Sequence, residues 1–233
     1  MSPSTFNRIT PYLFLAPALV IMTLALLYPL GYMMYGSFRD WDPSQSLGES
    51  DFVGFANYIT LWNDPNFQES FGVTLKFAIS VVSVEMFIGV GLALLLDRKL
   101  RGMSLLRTLF ILPMMIAPVV VGLIWRYMYH PTLGVFNRGL KSIGFESVDW
   151  LGQHALMSII IADIWQWTPF IFILSLAALQ SLPRSALEAA RIDGATGWQQ
   201  IIHIKLPLMM PVLIVTGLLR LIDAFKVLEV ILV

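Results

Sequence analysis

The stretch Ser181-Leu-Pro-Arg-Ser-Ala-Leu-Glu188-Ala-Ala-Arg-Ile-Asp193-Gly194-Ala-Thr-Gly-Trp198-Gln-Gln-Ile-Ile-His-Ile204-Lys-Leu206-Pro207 decides how this chain folds. Pro183 fits a first helical turn, where its missing N–H is no loss. Residues 185–192 read as a short helix. Asp193-Gly194 ends it, because glycine takes left-handed backbone without a side-chain penalty. A second short helix is predicted next, with Trp198, Ile201 and Ile202 on its apolar side and Ile204 beside them. Pro207 then opens a longer helix. The stretch is a compact helix–turn–helix. Its first helix sets the small side chains Ala189 and Ala190 beside Glu188. Small residues allow close docking into a groove, and a carboxylate at the rim can pair with an arginine there. A helix that merely lies on lipid headgroups is the alternative. Such helices favour a basic polar face, whereas this one mixes Glu188, Arg191 and Asp193.

Both flanks of the stretch are apolar. Residues 155–182 hold Asp163 as their one charge, and 206–219 hold none. The pattern recurs: 9–38 and 108–125 are uncharged, and 77–96 hold only Glu85. The chain is 57% hydrophobic and 13% charged, against roughly 25% charged in soluble domains. A bilayer core of about 30 Å takes about 20 apolar residues of helix. The reading is an all-α integral membrane protein with five spans, near 11–36, 74–97, 105–128, 155–180 and 207–231. The first run is longer than the roughly 7–15 residues of a signal-peptide core, so it is expected to be a retained span. Prolines fall inside or at the edge of four spans: Pro17 and Pro29, Pro113 and Pro118, Pro169, then Pro207 and Pro211. Interior prolines kink helices, which suits a transporter. Proline is also commoner in membrane helices generally.

Basic residues in the short loops set orientation. Arg8, Arg98, Lys99, Arg101, Arg107, Arg184, Arg191 and Lys205 lie on one side, against Arg39, Arg138 and Lys141 on the other. The bias places the N-terminus and the 181–206 loop in the cytoplasm, and the loops near 38–73 and 129–154 outside. No linker or internal repeat divides the chain. One membrane domain over 1–233 is expected, with about 70–233 as its core.

The order Glu188-Ala189-Ala190, Asp193-Gly194-Ala195, then Ile204-x-Leu206-Pro207 resembles the signature loop of inner-membrane permeases in binding-protein-dependent ABC importers. Softer matches are Phe52 to Tyr58 with Asp64-Pro65, Arg107 to Pro113, Gly134 to Asn137, Trp150 to Gly152, Trp165 to Pro169 and Ala178 to Pro183. They resemble the carbohydrate-uptake branch, the maltose- and glycerol-phosphate-type permeases. The resemblance implies a type I importer permease fold and a bacterial or archaeal cytoplasmic (inner) membrane. Residues 181–206 would be the coupling loop seated on the ATPase. Implied partners are a dimer of ATP-binding subunits, a second permease that is a different chain, and an extracytoplasmic solute-binding protein. The solute is then a sugar or sugar derivative. That branch has a sixth span after a glycine-rich outer loop, and the five runs read here lack it.

Glu85 and Asp163 are costly in lipid unless they face protein or water. Both are candidates for the translocation path. Each has a structural alternative, and Asp163 sits near the outer end of its run, within reach of water. Arg220, Asp223, Lys226 and Glu229 recur at steps of three, where opposite charges pair along a helix. Asp223 and Lys226 are path candidates, with an interface to the second permease as the alternative. Trp165 and Trp167 are candidates for stacking on sugar.

No enzyme is expected. His130, His154 and His203 lack metal-ligand spacing, and the chain has no cysteine. No His-Glu-x-x-His, Gly-x-Ser-x-Gly or Gly-x-x-x-x-Gly-Lys-Ser/Thr pattern occurs. No cofactor is therefore expected on this chain, and ATP is assigned to a partner subunit. Zero net charge speaks against a nucleic-acid partner. A membrane-embedded enzyme using Asp163 or Glu85, or a non-transporting scaffold, are the rival readings.

Overall fold

The structure, a computed structural model, describes residues 3–42, 44, 46–97 and 102–226. The chain divides into two compact units, 1–71 and 72–233.

The first unit opens with α1, Pro3–Ser37, which carries Pro11, Pro17 and Pro29 inside it. A small hairpin follows, pairing β1, Arg39–Asp40, with β2, Asp51–Phe52, antiparallel. Next comes α2, Ala56–Asn63. Asn57 donates from its amide to the Ser37 and Arg39 carbonyls at 3.0 and 2.8 Å. Tyr58 donates to the Ser37 hydroxyl at 2.7 Å. The rings of Phe38, Phe55 and Tyr58 cluster beside them. The start of the 38–73 loop is thus folded, its hairpin tied to α2 through Asn57, Tyr58 and the Phe38–Phe55–Tyr58 rings. Within it the Ser44 hydroxyl and backbone N–H both donate to Asp42, which holds that carboxyl below its ordinary range.

The remaining long helices are α3, Pro65–Leu96, α7, Ala155–Gln180, and α10, Leu206–Ala224. Between α3 and α7 lie α4, Met103–Ile111, α5, Pro118–Met128, and α6, Val135–Ser142. After α7 come α8, Arg184–Ile192, and α9, Gly197–Gln200. Among the described residues, four helices are long and apolar enough to cross a bilayer: Thr10–Ser37, Pro65–Leu96, Ala155–Gln180 and Gly197–Ala224. The bent pair Arg107–Met115 and Pro118–Met128 makes five if it counts as one span.

Three of the expected spans need correction. The second begins at Pro65, nine residues before the expected 74. The third is not one helix over 105–128 but is broken by 99°. Ile116 and Ala117 take extended backbone there. A residue before proline is pushed out of the helical region, and Ala117 precedes Pro118, which starts α5. The break exposes the Ile116 carbonyl, and the buried Gln166 side chain of α7 donates to it at 3.1 Å. The fifth span is expected at 207–231. Its helix runs from Gly197 to Ala224, and 227–233, with Glu229, lie outside the described residues.

Helices α3, α7 and α10 pack through two apolar clusters. In one, Ala93 meets Phe172, Leu176, Leu179, Met209 and Leu213. In the other, Phe77, Ala78 and Val81 meet Ala224, Leu156 and Leu221. So α3 and α7 run in one direction and α10 in the other. At the α3–α7 crossing a Cβ on Gly89 would sit 2.7 Å from Cβ of Ile171. Overpacking of this kind costs roughly 1–3 kcal/mol. Gly89→Ala is therefore expected to lower the thermal midpoint of the detergent-solubilised protein, read by loss of helical circular dichroism.

A second hub ties the 129–154 segment to α5 and α7. Asn137 is buried and makes four hydrogen bonds. Its amide donates to the Pro131 and Val148 carbonyls, and its oxygen accepts from Val148 N–H and Trp150 Nε1. The rings of Trp125, Tyr129, Phe136 and Trp150 enclose it. Unsatisfied buried groups cost about 1–3 kcal/mol. Asn137→Ala is expected to open 131–154 to limited proteolysis while the long helices stay protected.

Candidate functional site

The 181–207 loop folds more rigidly than its sequence suggests. Pro183 is not inside the first turn; it caps α8 in extended conformation, and Arg184 starts the helix. At the other end Gly194 has φ of +76°. Ala195 N–H donates to the Ala190 carbonyl at 2.9 Å, and Gly194 N–H to Arg191 at 3.1 Å. These two bonds form a complete Schellman motif, which needs a residue tolerant of left-handed backbone at that point. Thr196 then caps α9: its hydroxyl accepts from Gln199 N–H, and the Gln199 side chain accepts from Thr196 N–H. That reciprocal pair is a capping box.

The expected second short helix is not a separate element. It runs through a π turn, Ile201–Lys205, directly into α10. Pro207 falls in the first turn of α10, as read from the sequence, but α10 continues a helical run that begins at Gly197. Pro207 has no N–H for the carbonyl four residues back. The π turn, in which Leu206 N–H reaches back to Ile201, re-spaces the ladder just before it. Such turns recur at functional sites. Lys205 meets Asp97 at the end of α3, 3.3 Å away and partly exposed.

Of the nine loop residues expected to couple to a partner, Glu188, Ala189, Asp193 and Gly194 are exposed, and Ala195 is half-buried. Ala190 is buried and holds α8 down. Ile204 and Leu206 are half-buried, whereas Pro207 is exposed on the helix that continues from the loop. Ile192 and Trp198 add a large apolar surface, 86% and 70% exposed. The loop thus presents a small-residue face with a free carboxylate at its edge.

The polar residues read from the spans converge elsewhere. Arg220 of α10 is buried and forks onto Glu85 of α3, with Nε to Oε2 at 2.7 Å and Nη2 to Oε1 at 3.0 Å. The same Nη2 bonds Oδ2 of Asp163 on α7. Asp223 stands 3.6 Å from Nη1 as an i,i+3 partner, and the guanidinium lies over the Trp167 ring, 5.2 Å from its centre. Four of the five path candidates, Glu85, Asp163, Trp167 and Asp223, therefore gather around one residue that was not among them. Lys226 joins only through its backbone N–H, which donates to the Asp223 carbonyl. Asp163 is 1% exposed, so its expected contact with water is corrected: α7 buries it against α3 and α10. Asp223 is 45% exposed at its side chain, Trp167 is half-buried and Lys226 is exposed. Trp165 packs edge-on against Trp125.

Arg220 was legible in one respect. Glu85 and Asp163 are lone carboxylates in two apolar runs, and Arg220 is the first charge in a third. Charge neutrality in lipid asks for such a partner. The i,i+3 spacing drew the pairing along α10 instead.

Long apolar helices with a broken span, a buried ion cluster and an exposed, ordered loop fit a membrane transport component. The family of binding-protein-dependent transport system inner membrane components matches residues 85–232, and the chain belongs to it. A probable ABC transporter permease protein, y4oQ of Sinorhizobium fredii, is 40% identical over 90% of this chain and 68% of its own length. The trehalose/maltose transport system permease protein MalF of Thermococcus litoralis is 36% identical over 94% of this chain and 75% of its own. A solved bacterial alginate ABC transporter, in complex with a periplasmic protein bound to an alginate pentasaccharide, superposes with a TM-score of 0.78. That match is 25% identical and covers 93% of this chain and 73% of the other. The chain is accordingly an inner-membrane permease component of a binding-protein-dependent transporter.

Proposed function

We propose that the chain moves a sugar or sugar derivative across the inner membrane, with its N-terminus in the cytoplasm and α8 seated on an ATP-hydrolysing partner. The observation that carries this reading is the α8 face: Glu188 and Ala189 exposed, fixed by the Gly194 Schellman motif, and joined through the short turn at 193–196 to a span. A rigid face transmits a push that a flexible loop would absorb. Relatives named for trehalose, maltose and alginate transport support the solute class. The solute arrives from an extracytoplasmic binding protein, and a second, different permease completes the path. Asp223, half-exposed on α10, and Lys226, exposed in the turn that follows it, line that path. ATP and its chemistry stay on the partner, and this chain holds no cofactor.

An affinity pull-down of the tagged chain from mild detergent tests the reading. Recovery of an ATP-binding subunit and a second permease is expected, with loss of the ATP-binding subunit when Glu188 and Gly194 are changed together. Equal recovery with both positions altered would remove α8 from the interface.

A further inference from the structure

The Arg220 cluster lies on a helical rod that begins just after the turn that ends α8. Gly197–Ala224 is continuous, and α8 is joined to its start through the ordered turn at 193–196. A push on α8 therefore enters the rod at that turn and reaches Arg220 past the π turn at Ile201–Lys205. There the rod meets α3 and α7 through groups of unequal completeness. The link to Glu85 on α3 is a two-bond fork, the geometry that fixes both distance and angle. The link to Asp163 on α7 uses one carboxylate oxygen. Its other oxygen, Oδ1, is buried with no hydrogen-bond partner among the described residues, and so is Oε1 of Gln166 one turn further on. Elsewhere the rod meets α3 through apolar side chains, Ala93 with Met209 and Leu213, and Val81 with Ala224, and through the partly exposed Lys205–Asp97 pair at the end of α3. The apolar surfaces can slide, and the fork is the buried ionic link that fixes their register.

We propose that Arg220 is a positioning residue for transport: its fork onto Glu85 makes α3 and α10 move as one body when the loop is pushed, while the single-oxygen link to Asp163 is the one that yields. The inference rests on the importer reading above. It adds the route by which movement at the loop enters the membrane. A purely structural cluster would only hold the helices together, and any neutral replacement that packs as well would serve. A positioning cluster does more, since the ratio of stimulated to basal ATP hydrolysis depends on it.

The test uses the native importer, with its ATPase and second permease, reconstituted with loaded binding protein. The variant is the neutral triple Arg220→Met, Glu85→Gln, Asp163→Asn, which leaves no buried charge alone. Its ratio of binding-protein-stimulated to basal ATP hydrolysis is expected to fall at least about fivefold, the lower end of ordinary coupling between sites, and uptake with it. A triple variant that couples like the native protein overturns the proposal. A second measurement needs no charge change. The chain has no cysteine, so spin labels on Phe87→Cys in α3 and Leu219→Cys in α10, both exposed, report the α3–α10 distance alone. That distance is expected to stay constant between ATP-free and ATP-bound states, and a change of helix-turn size overturns the proposal even if the triple variant fails to assemble. If the native chain recovers no ATPase, the importer reading fails; if it does and the triple variant still couples, only the role of Arg220 fails.

Discussion

Uptake by the assembled importer is expected to fall to background when Gly194 becomes tryptophan, with the chain still inserted and the ion cluster intact. Two effects combine. Gly194 sits at φ +76°, and a side chain there costs about 1–2 kcal/mol of backbone strain. Next to the several kcal/mol of a folded domain that is tolerable, so insertion survives. The indole does the damage. Nothing lies within 4 Å of a Cβ at this position, so the ring projects away from the protein, beside exposed Glu188 and Ala189, and holds a docking partner off. Gly194→Asn separates the two effects, because asparagine tolerates the left-handed region and adds little bulk. Transport of labelled solute into proteoliposomes should be near native for Gly194→Asn, reduced for Gly194→Ala through strain alone, and absent for Gly194→Trp. Normal transport in Gly194→Trp would mean that this turn touches no partner.

The contrast between loop and membrane shows what the sequence made legible. Composition and run length located the spans at 11–36 and 155–180 within a residue of the apolar spans Thr10–Ser37 and Ala155–Gln180, because the bilayer sets helix length and lipid forbids unpaired backbone. The α8 helix and its stop at Gly194 were legible for the same local reason: glycine after a helix has a steric meaning. What failed was non-local. The break at Ile116–Ala117 looks like a second proline in a continuous run, and it becomes a bend only because Gln166, fifty residues away, satisfies the exposed carbonyl. The join of α9 to α10 was hidden because Pro207 reads as a helix start, whereas the π turn lets the helix pass through it.

The ion cluster failed in a more instructive way. Glu85 and Asp163 were read as costly in lipid unless they face protein or water, Trp167 as a surface for sugar, and Asp223 as paired along its own helix, so their meeting at Arg220 was not anticipated. Spacing within a helix is visible in sequence. The crossing of α3, α7 and α10 at one level depends on Gly89 letting α3 approach Ile171, and no local pattern announces that.

The crossing also fixes the second large effect. Arg220→Met alone is expected to destabilise the permease by about 3–5 kcal/mol, the range for breaking a buried pair by removing one partner. The loss is that large because methionine strands Glu85 and Asp163, both 1% exposed or less, with their charges facing each other across the vacated space. The neutral triple variant removes the stranded charges along with the arginine. Replacing a whole buried ionic group by well-packed neutral side chains is often neutral or stabilising. Thermal unfolding in detergent should therefore rank native and triple variant together, with Arg220→Met far below. Glu85→Gln should fall between them, since it keeps the Asp163 partner and gives up the two-bond fork to a charged acceptor. Arg220→Lys should resemble Glu85→Gln, because an ammonium cannot fork onto Glu85 and reach Asp163 at once. A single Arg220→Met variant as stable as the native chain would show that water reaches the cluster, and that the three helices are held by their apolar clusters alone.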